Sequence, residues 1–270
     1  MHELNKKENK ETPTSKVVGV PTEDQAEGSP SGKGSPRDGG EKPSLITADN
    51  LKKSFRVGKN IVRALRGVDL EIKKGDFLLI YGPSGCGKTT LLNIIAGLDT
   101  PSAGKLFYRD LDLFSLNEDG RGIFRSKRMG IVHQISNWVR SLNVIENIAL
   151  PLIIEGKKES EAIEHAEEIM EDLKISELSR QLPTQLSGGQ QQKAEIARAL
   201  VSKPQIILAD EPTGDLDTTS ADEIMGLLDY LNKQMGRTIV MVTHNPNYAA
   251  MGTRMIEMKD GLITKTVNNR

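Results

Sequence analysis

From Leu45 onward, short apolar runs alternate with stretches of helical periodicity. Phe77 to Tyr81 is followed by a helical pattern from about Lys88, Ile206 to Ala209 by one from about Ser220, and Thr238 to Thr243 by one around Tyr248. Runs that are apolar on both faces are the mark of central parallel strands, so the alternation predicts an α/β fold around a mostly parallel sheet. Ahead of it, Ile46 to Phe55 and Ile61 to Ile72 read as antiparallel strands joined by a turn near Gly58-Lys59-Asn60. They predict an N-terminal antiparallel β subdomain. Between the two halves of the α/β pattern, Ser160 to Leu173 is helical, with Ile163, Ala166, Met170 and Leu173 on one face. A mainly helical insert is therefore expected at about 135–190. No internal repeat is evident.

Composition changes this picture only at the N-terminus. Residues 1–44 hold 6 Gly and 5 Pro, lack aromatics and mix charges of both signs. Such a segment buries too little apolar area to offset chain entropy, so a disordered, solvated tail is expected, with a tether or regulatory arm as the alternative. Residues 45–270 then form the folded domain. A net charge of -1 without a strongly basic block argues against a nucleic-acid partner. The single cysteine, Cys86, excludes an internal disulfide framework. The longest apolar runs, Phe77 to Tyr81 and Ile148 to Ile154, fall far short of the roughly 20 residues a membrane helix requires. The polar N-terminus does not resemble a signal peptide. A soluble protein is expected, and any membrane role then needs a separate partner.

The strongest local motif is GPSGCGKTT, residues 82–90. It follows an apolar strand and opens a helix, the setting a phosphate-binding loop requires. Gly82, Gly85 and Gly87 let the backbone curl around phosphates, with Pro83, Ser84 and Cys86 completing the loop. Lys88 reaches the terminal phosphates, Thr89 offers a hydroxyl to Mg²⁺, and Thr90 continues the helix start. Cys86 reads as a tolerated small residue, since phosphoryl transfer needs no thiol. A second motif, IILADEP, ends a buried strand in two carboxylates: Asp210 for the metal and Glu211 to polarise the attacking water. A third, LSGGQ, puts Ser187, Gly188, Gly189 and Gln190 at a helix N-terminus, itself suited to an anion. One small domain thus carries two phosphate-seeking helix starts.

Taken in order, GPSGCGKT, the glutamine of IVHQ, LSGGQ, ILADEP, GDLD and the histidine of MVTHNP resemble the ABC-type ATPase subunits over Leu45 to Ile263. The resemblance implies a P-loop NTPase core that binds ATP and Mg²⁺ and hydrolyses ATP to ADP and phosphate. It also accounts for the second helix start. Two copies pack head to tail as a homodimer, and Ser187 to Gln190 of one close over ATP on the P-loop of the other. Gln134 would sense Mg²⁺ and the water, His244 would contact the γ-phosphate, Asp217 would lie at the subunit interface, and Phe55 would stack on adenine. Asp215 stands where close relatives often have Asn.

Finer features (PTGDLD, ENIALPL and THNP) resemble the branch serving lipoprotein release, macrolide-type export and cell-division signalling. That branch implies a separate transmembrane permease, and a place in the cytoplasm, peripheral on the inner face of the plasma membrane. A mechanotransmission complex regulating cell-wall enzymes is the alternative. A ribosome- or DNA-acting ATPase is disfavoured, because those relatives carry two such domains or a long coiled coil. The chain departs from the branch at His133, where phenylalanine is usual, and in ISNWVRSLNV. There Trp138 and Arg140 fall where a permease's coupling helix docks, with local packing as the alternative for Trp138.

Overall fold

The computed structural model describes residues 43–134 and 137–269. The expected tail therefore lies outside the described residues except for Pro43 and Ser44, and Ser44 already opens the first strand. Two long strands, β1 (Ser44–Val57) and β2 (Asn60–Lys73), pair antiparallel down to Val57 and Asn60. Gly58 turns the hairpin at φ +61°, a left-handed conformation glycine adopts without a Cβ penalty. Two further strands, β4 (Ala103–Tyr108) and β5 (Leu111–Asp112), complete a four-stranded sheet of order β2-β1-β4-β5.

The second sheet has six strands in the order β10-β9-β3-β8-β7-β6. Its members are β3 (Phe77–Tyr81), β6 (Met129–Val132), β7 (Ile206–Asp210), β8 (Thr238–Thr243), β9 (Arg254–Lys259) and β10 (Leu262–Asn268). From β9 to β6 every pairing is parallel; β10 closes one edge antiparallel. Side-chain alternation divides the interior in two. Phe77, Leu79, Ile207, Ala209, Ile239 and Met241 face one core, shared with the helices that lie between β6 and β8 in the chain. Their neighbours Leu78, Ile80, Leu208, Val240 and Val242 face the other, built with the antiparallel sheet and helix α1 (Lys88–Ile95). Strands buried on both faces account for the continuous apolar runs.

Helix α2 (Glu118–Arg128) leads into β6. The helical region comprises α3 (Val144–Ile154), α4 (Glu159–Asp172) and α5 (Gly188–Leu200), and α6 (Thr218–Lys233) follows β7. On α4, Ala166 and Met170 are buried as the periodicity requires, and Ile163 is half-buried at the rim. One expectation is corrected. The segment around Tyr248 is a five-residue 3-10 turn, Pro246–Ala250, in which only Tyr248 is buried.

What matters for function is where the parallel strands end. The carboxyl ends of β3, β8, β7 and β6 lie in register, with Tyr81 beside Thr243, Val242 beside Asp210 and Ala209 beside Val132. In open α/β sheets, ligands bind at this edge.

Candidate nucleotide site

The loop leaving β3 is packed so tightly that two of its glycines are obligatory. A Cβ at Gly82 would lie 2.3 Å from the Met258 carbonyl oxygen, and one at Gly87 2.4 Å from that of Ala64. Gly87 also sits at φ +106°, as the residue from which α1 departs. Lys88 is nearly buried, and its ammonium donates to the carbonyls of Gly82 (2.9 Å) and Pro83 (3.1 Å), within the loop itself. Ser84 and Gly85 form the exposed lip, while Cys86 is buried and its carbonyl accepts from the Gly261 N–H at 3.0 Å. Thr90 is half-buried on the first turn of α1.

From the same turn, the Thr89 hydroxyl donates to Asp210 Oδ1 at 3.2 Å, joining α1 to the end of β7. Burial pushes the Asp210 carboxyl above its ordinary value. The hydrogen bond from Thr89 opposes that rise, the charge of Glu211 adds to it, and His133 and Lys88 pull it back down. One residue on, Glu211 adopts φ +47°, an uncommon conformation for a side chain of its size. It is locked there because its N–H donates to Val242 O and its carbonyl accepts from Gly214 N–H, each at 3.0 Å. The result turns the carboxylate toward the end of β8, where His244 Nδ1 lies 2.8 Å from Glu211 Oε2 and donates to it. Backbone strain of this kind, of order 1–3 kcal/mol, persists where the surroundings enforce it and clusters at functional sites.

Gln134, one residue beyond His133 at the end of β6, is exposed and reaches the same place. A Cβ built at Gly214 would be 3.6 Å from Gln134 Nε2 and 3.6 Å from Glu211 Oε2. Register thus gathers Lys88, Thr89, Asp210, Glu211, Gln134 and His244 on one edge of the sheet. Phe55 stands apart on β1, 39% exposed, with Lys53 Nζ 4.9 Å from its ring centroid. Lys53 is itself anchored by Asp99 at 2.5 Å and Thr100 O at 2.7 Å. The sequence reading missed that platform, since a lysine two residues from an aromatic on a strand carries no distinctive signal.

The LSGGQ segment forms a separate cluster. Ser187 caps α5 in a reciprocal box: its Oγ accepts from Gln190 N–H (3.3 Å), and Gln190 Oε1 accepts from Ser187 N–H (2.9 Å). The Gln190 side chain is thereby committed to its own helix. Gly188 and Gly189 allow close approach to α6, since a Cβ at Gly189 would meet Ser220 Oγ at 2.9 Å and one at Gly188 the Leu216 side chain at 3.2 Å. Asp217 caps α6 by accepting from Ser220 N–H at 3.0 Å and Ser220 Oγ at 2.7 Å. Those bonds hold its carboxyl below its ordinary value. Asp215 lies exposed in the preceding turn. Among the described residues, no hydrogen bond ties this cluster to Lys88 or Thr89. A cleft of about 320 Å³ is lined by Glu211 and His244 together with Gly214, Leu216 and Thr218. Trp138 is half-buried against the helical core and Arg140 exposed, so local packing, one of the two readings of Trp138, is realised.

Comparison with known proteins places this geometry. The ABC transporter family model matches residues 65–214. An ABC transporter ATP-binding protein of Methanocaldococcus jannaschii is 40% identical over 83% of this chain and 100% of its own length. The lipoprotein-releasing system ATP-binding protein LolD of Syntrophus aciditrophicus is 41% identical over 81% of this chain and 98% of its own. A dimeric, post-hydrolysis structure of an ATP-binding cassette bound to ADP and Pi superposes with a TM-score of 0.78 at 39% identity, covering 84% of this chain and 99% of that one. The chain therefore belongs to the ABC transporter family, as a nucleotide-binding ATPase of P-loop fold.

Proposed function

We propose that two copies of this chain form an ATP sandwich that drives a separate permease of the export or lipoprotein-release type. The observation that carries the reading is the Glu211–His244 hydrogen bond, one residue from the Thr89–Asp210 contact on a single sheet edge. In this arrangement the P-loop backbone of Gly82 to Gly87 and the Lys88 ammonium hold the β- and γ-phosphates. Thr89, Asp210 and Gln134 offer only oxygen donors at the point where Mg²⁺ would sit, the donor set a hard, small cation selects. Bound there, Mg²⁺ would neutralise charge on the phosphates. Glu211 accepts the proton of the attacking water. His244 fixes the orientation of that carboxylate and stands within reach of the γ-phosphate.

The Ser187 hydroxyl uses its oxygen to cap α5, which leaves its O–H to donate outward, together with the first backbone N–H groups of α5 at Gly188 and Gly189. These are donors for the nucleotide held by the second copy. Asp217, at the start of α6 beside them, belongs to the same interface. Support comes from the dimeric state of the similar cassette bound to ADP and Pi, and from the relative named for lipoprotein release. Among the described residues no helix is long and apolar enough to cross a membrane, which fits a chain held peripherally at the inner face by its partner.

Affinity capture of the chain from detergent extracts of membranes should bring down a polytopic membrane protein. Capture of ribosomal or DNA-bound complexes in its place would overturn the reading. Within the site, Phe55→Ala should raise KM for ATP with kcat unchanged, because stacking contributes equally to ground and transition states. A stacked base is worth about 1–3 kcal/mol, so the KM should rise roughly tenfold. Steady-state kinetics over a range of ATP concentrations check it.

A further inference from the structure

The β1–β2 hairpin ends in a tip whose side chains neither the sheet nor the nucleotide site requires. From Asn50 to Val68 the chain carries Lys52, Lys53, Arg56, Lys59, Arg63 and Arg66 and no acidic residue. Lys53 is paired with Asp99, whereas Arg56, Lys59 and Arg63 have no ion pair among the described residues. Every residue from Ser54 to Arg63 is exposed. Three of them are nevertheless large aliphatics: Val57 is 61%, Ile61 69% and Val62 51% exposed.

The tip also projects. Leu65, paired with Lys53, is the last buried residue on the way out along β2. Beyond it the pairs Ser54–Arg63, Phe55–Val62, Arg56–Ile61 and Val57–Asn60 extend the hairpin by about 13 Å at the usual rise of a strand. Cross-strand partners share a face, and successive pairs alternate. Phe55 and Val62 therefore point one way, and Arg56, Ile61 and Arg63 the other. Adenine stacked on Phe55 leaves that second face open.

A surface that fits this tip has to accept cations and aliphatic groups side by side. A nucleic-acid backbone would match the cations and leave Ile61 and Val57 in water. An apolar protein groove would take the aliphatics and strip water from unpaired guanidinium groups. The headgroup layer of an anionic bilayer suits both, because aliphatic ends enter it while long cationic stems reach back to the phosphates. With a net charge of -1, the chain as a whole has no attraction to such a surface. The local excess on the hairpin then sets which side of the molecule meets it.

We propose that the tip of the β1–β2 hairpin is a membrane-surface contact that docks on anionic phospholipid headgroups, with Arg56, Lys59 and Arg63 as charged anchors and Val57 and Ile61 as the inserted side chains. The inference deepens the reading of a chain held at the inner face of a membrane, and it adds a contact the chain makes without its permease.

Co-sedimentation of the full chain with vesicles tests it. The chain should bind vesicles of phosphatidylglycerol and phosphatidylcholine in equal parts, should bind phosphatidylcholine alone far more weakly, and should be released by added salt. Each cation near an anionic surface contributes about fivefold to partitioning, so Arg56→Gln/Lys59→Gln/Arg63→Gln should weaken binding at least about fiftyfold. Val57→Ser/Ile61→Ser should weaken it roughly tenfold. Arg56→Lys/Arg63→Lys keeps the charges and should bind like the parent. All three variants alter exposed side chains outside the nucleotide site, so ATP turnover in vesicle-free buffer should stay parental. Equal binding to both vesicle types, or parental binding by the triple variant, would overturn the proposal. Should the triple variant fail to fold, parental binding by Val57→Ser/Ile61→Ser overturns it equally. The vesicles contain no permease, so failure here leaves the permease reading standing. Failure to capture a membrane protein from extracts would count against the permease and not against the hairpin.

Discussion

Exchanging Glu211 for glutamine should cut kcat for ATP hydrolysis by about 10²–10⁴-fold, the range contributed by a positioned general base. Binding of ATP should persist. The substitution preserves size and can keep the contact with His244, whose Nδ1 lies 2.8 Å from Oε2 in the parent. What is lost is the ability to take a proton from water. Because Asp210, Thr89 and Lys88 are untouched, nucleotide should still close the dimer, and the closed form should accumulate because hydrolysis no longer opens it. Gel filtration with ATP and Mg²⁺ should therefore show a stable dimer for Glu211→Gln and mostly monomer for the parent. Parental turnover in the variant would move the base elsewhere on the sheet edge.

A bulky side chain at Ser187 should be as damaging to hydrolysis, for a different reason. Ser187→Phe removes the outward O–H and fills the space the γ-phosphate of the second copy would occupy. Loss of one preorganised donor to developing charge costs roughly 10²–10³-fold in kcat. The change also removes the N-cap of α5, about 1 kcal/mol of helix stability, too little to unfold a chain with two extensive cores. Nucleotide binding by the isolated chain should be nearly parental, since among the described residues no hydrogen bond joins Ser187 to the P-loop of its own copy. Equilibrium binding measured beside turnover separates the two effects.

Most of the fold was legible because its central strands are buried on both faces. The expected bounds of Phe77–Tyr81 and Thr238–Thr243 coincide with β3 and β8 for that reason. Strands that are short or border solvent left no such trace: β6 has four residues, and β10 alternates weakly at a sheet edge. Helix α2 was hidden by Gly120 and Gly122 in a strongly charged stretch, and its Asn117 cap is visible only in the structure. At the site, the P-loop is a contiguous motif and could be read as one. The pairing of Glu211 with His244 could not be read from spacing, because it follows from the register of β7 and β8 and from the unusual φ of Glu211. The spacing from Ser187 to Gln190 fits both a nucleotide contact and a capping box, and the structure shows the box. Nothing in ISNWVRSLNV indicated that Trp138 would meet Arg198, some sixty residues later, since that contact depends on how α3 and α5 pack.

The central claim is that each nucleotide pocket is completed by the other copy, and mixing two disabled variants tests it most directly. Lys88→Ala destroys the P-loop half of a pocket and Ser187→Phe the signature half, so each homodimer should be nearly inactive. Random pairing gives mixed dimers in which one pocket receives Lys88 from one chain and Ser187 from the other. ATP turnover should then return to roughly a quarter of the parental rate at equal proportions. Full activity of Ser187→Phe alone, or a mixture no more active than its two components, would contradict the shared pocket.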